Sequence, residues 1–246
     1  MAGMSPLAAA GAPHPQGSAR LRLDPPGEWR RVELLASAAA VRRDCGAVAQ
    51  ALAAVATGPE ASAVEADALR GRIRAELLRS TRLLRGGGAT ELQVGLRLDP
   101  ETPLPCVLIT FEPFRMDTGD PLGGDPATVI DDLERATAIV NALDADDDRV
   151  LRRVRALGAT ALRQHRIRRA PGSLIDAGTG AVDLVPSTPR LLTQYWIPIP
   201  GTRELIDVFF DTPLVDIADE MLGLFDRIIA TARLEPGVRR PSTAAG

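Results

Sequence analysis

Apolar residues recur at two different periods along the chain, and the change of period separates helices from strands. Where apolar positions lie three or four residues apart, the spacing is that of one face of a helix. Three such stretches are residues 36–56, 60–84 and 126–143. Asp125 precedes the third as an N-cap, with Pro126 at the first helical position. The pattern therefore predicts three amphipathic helices before residue 150.

A fourth helix is predicted near the C-terminus, from residue 213 to about residue 234. Thr212 is its expected N-cap and Pro213 its first residue. Its apolar positions form one stripe, which consists of Ile217, Met221, Leu224, Phe225 and Ile228. We expect this stripe to pack against a sheet.

Between the second and third helices the period falls from 3.6 to two. Leu92 and Val94 alternate with Gln93 and Gly95, which predicts a strand with one buried and one solvent-exposed face. Residues 106–111 are apolar on both faces and predict a central strand that forms an antiparallel hairpin with it.

Further strands are predicted in the second half of the chain. Residues 191–199 and 204–211 predict a second hairpin around Pro200 and Gly201. Residues 150–167 predict a long strand or a hairpin with Gly158 near its middle, and both alternatives remain open. Paired strands with helices between the pairs predict an α+β fold, an antiparallel sheet with helices packed on its faces.

The same reading divides the chain into one domain and two tails. Residues 21–234 are expected to form a single α+β domain. Residues 1–20 and 235–246 are rich in small residues and proline without apolar periodicity, and are expected to be disordered.

Three motifs resemble a known group of proteins. They are Asp24-Pro25-Pro26-Gly27-Glu28-Trp29, Thr193-Gln194-Tyr195-Trp196-Ile197-Pro198-Ile199-Pro200-Gly201 and Val208-Phe209-Phe210-Asp211-Thr212-Pro213. Together they resemble actinobacterial proteins that look like the PsbP-like α-β-α sandwich fold, over about residues 21–234. The resemblance implies a non-catalytic binding or assembly module, and it carries over no catalytic residues. The Ala-rich stretch 36–56 departs from the pattern.

The composition of the chain limits the catalytic mechanisms that are available to it. All 29 basic residues are arginines, which excludes a lysine Schiff base and a P-loop lysine. Cys45 and Cys106 form no CxxC pair and are expected to be free thiols in a reducing cytoplasm. His14 lies in the predicted tail, and His165 lies between arginines that disfavour its protonation. We expect no catalytic residue and no cofactor, and the composition favours a non-enzyme.

Two acidic clusters are candidates for a weak cation site. Asp117, Asp120 and Asp125 form the first, and residues 144–148 the second. Hard cations prefer carboxylate oxygens, but the second cluster lacks the glycine and distal glutamate of an EF-hand. Solvated turns are the simpler interpretation, so no metal site is assigned.

An arginine-rich segment between residues 149 and 169 is the candidate partner-binding surface. Its assigned residues are Arg153, Arg155, Arg163, Arg166, Arg168 and Arg169. On two strands they would form a positive stripe that grips carboxylates or phosphates. The alternative is a solvated face that protects a sheet edge. Few aromatics interleave and the net charge is -3, so nucleic acid is not favoured as the partner.

These observations favour a non-enzymatic protein-interaction or scaffold module with a protein partner, which can be acidic. Two alternatives remain: a small-ligand binder or enzyme with a pocket between sheet and helices, and a structural subunit that forms homo-oligomers. No stretch reaches the length of apolar residues that a membrane span needs, and we expect a cytoplasmic protein.

Overall fold

The computed structural model describes residues 19–57, 62–115, 125–142, 149–168 and 189–236 of the 246-residue chain. The helices are α1 (Ala38–Thr57), α2 (Ala63–Gly86), α3 (Pro126–Ala142) and α4 (Ala218–Ala230). The strands are β1 (Arg20–Arg22), β2 (Glu28–Glu33), β3 (Ala89–Arg97), β4 (Pro103–Phe111), β5 (Phe114–Arg115), β6 (Val150–Ala156), β7 (Ala159–Arg168), β8 (Arg190–Pro198), β9 (Glu204–Thr212) and β10 (Arg233–Glu235).

Eight of these strands form one antiparallel sheet. Its order is β2-β3-β4-β9-β8-β7-β6, and the short strand β5 pairs with β9. Strands β1 and β10 form a separate antiparallel pair. The predicted α+β fold, an antiparallel sheet with helices packed on its faces, is confirmed.

The helices cover the sheet unequally. Helix α4 packs on one face, where Phe225 stacks on Phe210 with ring centroids 4.2 Å apart. On the opposite face, α1 and α2 cover the β2–β4 half, while α3 covers β7 and β8 through a core around Leu162 and Trp196. Side chains alternate between faces along each strand, so neighbouring residues belong to different layers.

The last helix begins later than predicted. Thr212 ends β9 instead of capping a helix, because its hydroxyl donates to the Pro105 carbonyl at 2.9 Å. A single 3-10 turn, Val215–Ile217, follows, and α4 starts only at Ala218. Met221, Leu224, Phe225 and Ile228 are buried as expected, whereas Ile217 remains 44% exposed because it precedes the helix.

The segment 150–167 is a hairpin, which resolves the alternatives left by its sequence. Leu157 and Gly158 have φ values of 52° and 74°, and they join β6 to β7. Positive φ at both central residues matches the twist of a tight hairpin.

The predicted solvent-exposed face of β3 is wrong. Glu91 and Gln93 are 4% and 2% exposed, because Arg20 of β1 and Arg31 of β2 reach over them. Strand β1 begins at Arg20 and strand β10 ends at Glu235, so each extends one residue beyond the predicted domain boundary.

Candidate functional site

The register of the β6–β7 hairpin divides the predicted arginine stripe between two faces. Arg153 faces α3, since its guanidinium binds Asp131 at 2.7 Å and also binds Glu134. Strand alternation places Arg155, Arg166 and Arg168 on that same side. Arg163 faces α4 instead, and Arg169 lies outside the described residues.

Arg163 is an internal residue. It is 5% exposed, and its Nη1 donates to Oδ2 of Asp226 at 2.6 Å. The other oxygen, Oδ1, accepts a hydrogen bond of 2.8 Å from the Tyr195 hydroxyl. Burial is the main cause that raises the pKa of Tyr195, and the Asp226 carboxylate adds to it. The Arg163 guanidinium therefore links β7 to α4 through its ion pair with Asp226.

Arg152 and Arg155 lie on β6 beside the ion-paired Arg153. Both are exposed, and no carboxylate in the described part of the chain forms a salt bridge with either. Arg152 lies directly opposite Arg163 in the β6–β7 ladder, so it faces the α4 side, and Arg155 faces the α3 side. Among the described residues, one positive charge without a carboxylate partner therefore lies on each face of β6.

Strand β6 is also an end of the sheet order. Within the described ranges it pairs with β7 alone, so one side of its backbone has no strand partner. Val150, at its first position, is 40% exposed. An unpaired strand edge with exposed side chains can add a further strand through backbone hydrogen bonds.

A second polar cluster lies on β7 and β8, on the face of the sheet that α4 covers. His165 of β7 and Thr193 of β8 are directly opposite each other, and Arg163 lies two residues before His165 on the same face. Burial, followed by the charges of Arg163 and Arg152, lowers the pKa of His165. The expected effect of the neighbouring arginines on this histidine is therefore confirmed, although desolvation is the larger cause.

A third polar group lies in the centre of the sheet, on the face that α3 covers. The Gln194 amide donates to Oδ2 of Asp207 at 2.6 Å, whereas the buried Oδ1 has no partner among the described residues. Burial raises the pKa of Asp207 to about 7, and the hydrogen bond from Gln194 opposes that rise. This pair was not predicted from the sequence, although the predicted hairpin 191–199/204–211 placed both residues on adjacent strands.

The buried carboxylate Glu91 was also missed. Its oxygens receive the Arg20 guanidinium at 3.2 Å, the Arg31 guanidinium at 3.4 Å and the Gln93 amide at 2.5 Å. The signal was present as a run of polar residues alternating along a strand, but alternation is equally typical of a solvated face.

The groove described between sheet and helices is shallow and lacks reactive groups. It has a volume of about 260 Å³ and lies between α1 and the ends of β2 and β3. Its lining consists of Glu28, Arg30, Ala51, Ala54, Val55, Leu96 and Arg97. Alanine methyl groups and an exposed ion pair offer a weak surface for a small ligand.

The described residues among the remaining candidates are buried in the core or cap a helix. Cys45 and Cys106 are free and buried, and burial raises the pKa of each thiol. Asp125 caps α3 by accepting the Ala127 amide at 3.1 Å. The remaining predicted acidic residues, Asp117, Asp120 and those at 144–148, lie outside the described residues. Within the described ranges no group of three potential ligands could hold a metal ion.

Comparisons with known proteins add one structural likeness. The chain is similar to the crystal structure of LpqN, involved in cell envelope biogenesis of Mycobacterium tuberculosis. The identity is 13%, the match covers 89% of this chain and 86% of that chain, and the TM-score is 0.41. A superposition this loose supports no conclusion about function, and the PsbP-like sandwich stays a prediction.

No protein-family model matches the chain, and the search of curated proteins gave no match. None of the helices in the described part of the chain is both long and apolar enough to span a membrane.

Proposed function

We propose that this protein is a non-enzymatic interaction module that binds an acidic, extended segment of a protein partner along β6. The observation that carries the proposal is the coincidence, on one strand, of an unpaired backbone edge and two exposed arginines without carboxylate partners in the described ranges. The bound segment would extend the sheet by one strand.

The two kinds of contact supply different parts of the binding. Backbone hydrogen bonds along β6 give affinity with little dependence on sequence. Arg152 and Arg155 lie three residues apart on opposite faces of the strand, so they can pair with two carboxylates that are also three residues apart on the added strand, one on each face. Arginine suits this role because its planar fork matches a carboxylate with two hydrogen bonds. Selection then depends on two acidic residues three positions apart in the bound segment.

Burial determines which of the sequence-predicted arginines can take part. Arg163 cannot reach a partner without breaking its bond to Asp226, and Arg153 is already bound by α3. A variant that removed Arg163 would lose stability for reasons unrelated to partner binding. Arg152 and Arg155 are therefore the residues to change.

A labelled peptide tests the proposal directly. The probe is a threonine-rich heptapeptide with two Asp residues three positions apart, and its counterpart carries Lys in place of Asp. We expect saturable binding of the acidic peptide by fluorescence anisotropy, weaker at high salt and weaker by about tenfold or more in the double variant R152E/R155E. Arg30→Glu, an exposed arginine on the opposite terminal strand, is the matched control and should leave binding unchanged.

Equal binding by the double variant, or no binding of the acidic peptide to the wild type at low salt, would refute the proposal. Light scattering then asks whether a second copy supplies the segment. In that case the wild type would be a dimer at low salt, and R152E/R155E a monomer.

A further inference from the structure

Three buried polar atoms without partners belong to neighbouring positions of β7 and β8, on the face of the sheet that α4 covers. They are Nε of Arg163, Nδ1 of His165 and Oγ1 of Thr193, and none has a hydrogen-bond partner in the part of the chain that the structure describes. Thr193 is 0% exposed and Arg163 5% exposed. Buried polar atoms are nearly always paired, so three orphans on adjacent strand positions require an explanation.

Their positions allow a single small group to reach all three. His165 and Thr193 are directly opposite, which places their Cβ atoms about 5 Å apart. Arg163 is two residues along the same strand, about 7 Å away. Side chains attached at positions this close can converge on one small group.

The chemistry of the atoms specifies what that group must offer. The Nε–H of a guanidinium can only donate a hydrogen bond, and a threonine hydroxyl can also donate. The Arg163 Nε–H therefore requires an acceptor, and the threonine hydroxyl can donate to the same acceptor group. The imidazole can contribute a third donor when its proton is on Nδ1.

Two arginines and two aspartates surround these atoms. Arg152 and Arg163 are directly opposite in the ladder, and like charges in that position repel. From α4, Asp219 and Asp226 oppose this positive field, but their effects on His165 are smaller than those of the two arginines. Asp226 is already bound to Arg163 and Tyr195.

We propose that Arg163, His165 and Thr193 form a binding site for the phosphate or carboxylate group of a small molecule, with Arg152 at its outer edge. The site is approached from the end of the hairpin where Val150 and Ile167 are 40% and 41% exposed. It shares Arg152 with the surface proposed to bind the acidic segment, but its other three residues lie on the α4 face of β7 and β8.

The test follows the Nε–H resonances of the arginines by NMR while inorganic phosphate is added, with sodium acetate as the carboxylate arm and sodium chloride at matched ionic strength as the control. We expect a saturable shift of the Arg163 Nε–H signal with phosphate or acetate and none with chloride. Thr193→Val keeps the shape of the side chain but removes the hydroxyl, and should weaken binding by about tenfold.

Arg152→Ser should also weaken binding, and its exposed position keeps the test valid if Thr193→Val folds poorly. Arg155→Glu should bind phosphate normally, which separates this site from the β6 edge. The absence of a saturable shift, an equal response to chloride, or unchanged affinity in both weakened variants would show that the orphan atoms bind only water.

Discussion

The two terminal strands of the sheet manage exposed charge in opposite ways. On β2, Arg30 binds Glu28 at 2.8 Å, Arg31 binds the buried Glu91 at 3.4 Å, and Glu33 binds Arg20 at 3.4 Å. On β6, Arg153 is neutralised by α3, but Arg152 and Arg155 have no carboxylate partner among the described residues. Among the described residues, both arginines of β2 have a carboxylate partner, and we call this end of the sheet the closed end. Two arginines of β6 have none in the same residues, and we call that end the open end.

The difference shows how a strand edge can be protected or kept available. An edge whose charges are satisfied internally offers little to an incoming chain, whereas an edge with uncompensated charges of one sign repels basic strands and attracts acidic ones. Under the proposed function, the β6 edge would resist pairing with basic strands and select an acidic segment. Charge, more than shape, distinguishes the two ends.

The largest effect is expected at the closed end, from Glu91→Ala. The change leaves two guanidiniums and the Gln93 amide without their buried acceptor. Removal of one partner from a buried ion pair destabilises by about 3 to 5 kcal/mol. Urea unfolding followed by circular dichroism measures this loss.

The matched control for that variant is Glu28→Ala, which breaks an exposed pair on the neighbouring strand β2. Exposed pairs contribute about 0 to 1 kcal/mol, so this control should unfold close to the wild type. Equal losses in the two variants would mean that Glu91 does not anchor the closed end.

A pH-dependent effect of intermediate size is expected from Asp207, which lies between the two ends on β9. Its pKa is raised from 3.8 to about 7 by burial, so the folded protein holds a proton that the unfolded chain releases. The folded state binds more protons in this window, and its stability therefore falls as pH rises from about 4 to about 7. Between pH 5 and pH 7 the contribution is about 2 kcal/mol.

The Asp207→Asn variant isolates that contribution, because asparagine keeps an acceptor for Gln194 and does not titrate. The difference in unfolding free energy between wild type and variant should change with pH in the stated direction. A difference that stays constant from pH 5 to pH 7 would show that Asp207 is ionised throughout.

The smallest effects are expected at the open end. Arg155→Ser removes an exposed side chain without a carboxylate partner among the described residues, so stability should stay within about 0.5 kcal/mol. Arg153→Ser breaks the contacts to Asp131 and Glu134, and should lower the melting temperature slightly at low salt and less at high salt. A large loss from Arg155→Ser would mean that the arginine has a structural role.

The elements were predictable wherever one apolar period dominated. The alternation at Leu92 and Val94 and the strongly amphipathic stretch around Phe225 both predicted the correct element. The start of α4 was not predictable from Thr212, because this residue can cap a helix or, as here, hold the end of β9 by a hydrogen bond to Pro105. That choice depends on a strand more than a hundred residues away.

The candidate site was predictable in composition but not in arrangement. The arginine-rich segment was found from the sequence, yet only the register shows that Arg163 is internal and that Arg152 is exposed beside it. Glu91 and Asp207 were missed for the same reason, since a polar residue at an alternating position is solvated unless another element covers it. Whether another element covers a strand residue depends on the tertiary structure, and the local sequence pattern does not show it.

The most direct test of the account is hydrogen exchange of the backbone amides, with and without the acidic heptapeptide at low salt. If β6 accepts an added strand, exchange should slow along Val150–Ala156 in the wild type and remain unchanged along Glu28–Glu33. The R152E/R155E variant should show no slowing at either strand. Unchanged exchange at β6 in the wild type, or equal slowing at β2, would contradict the claim that the open edge is the binding surface.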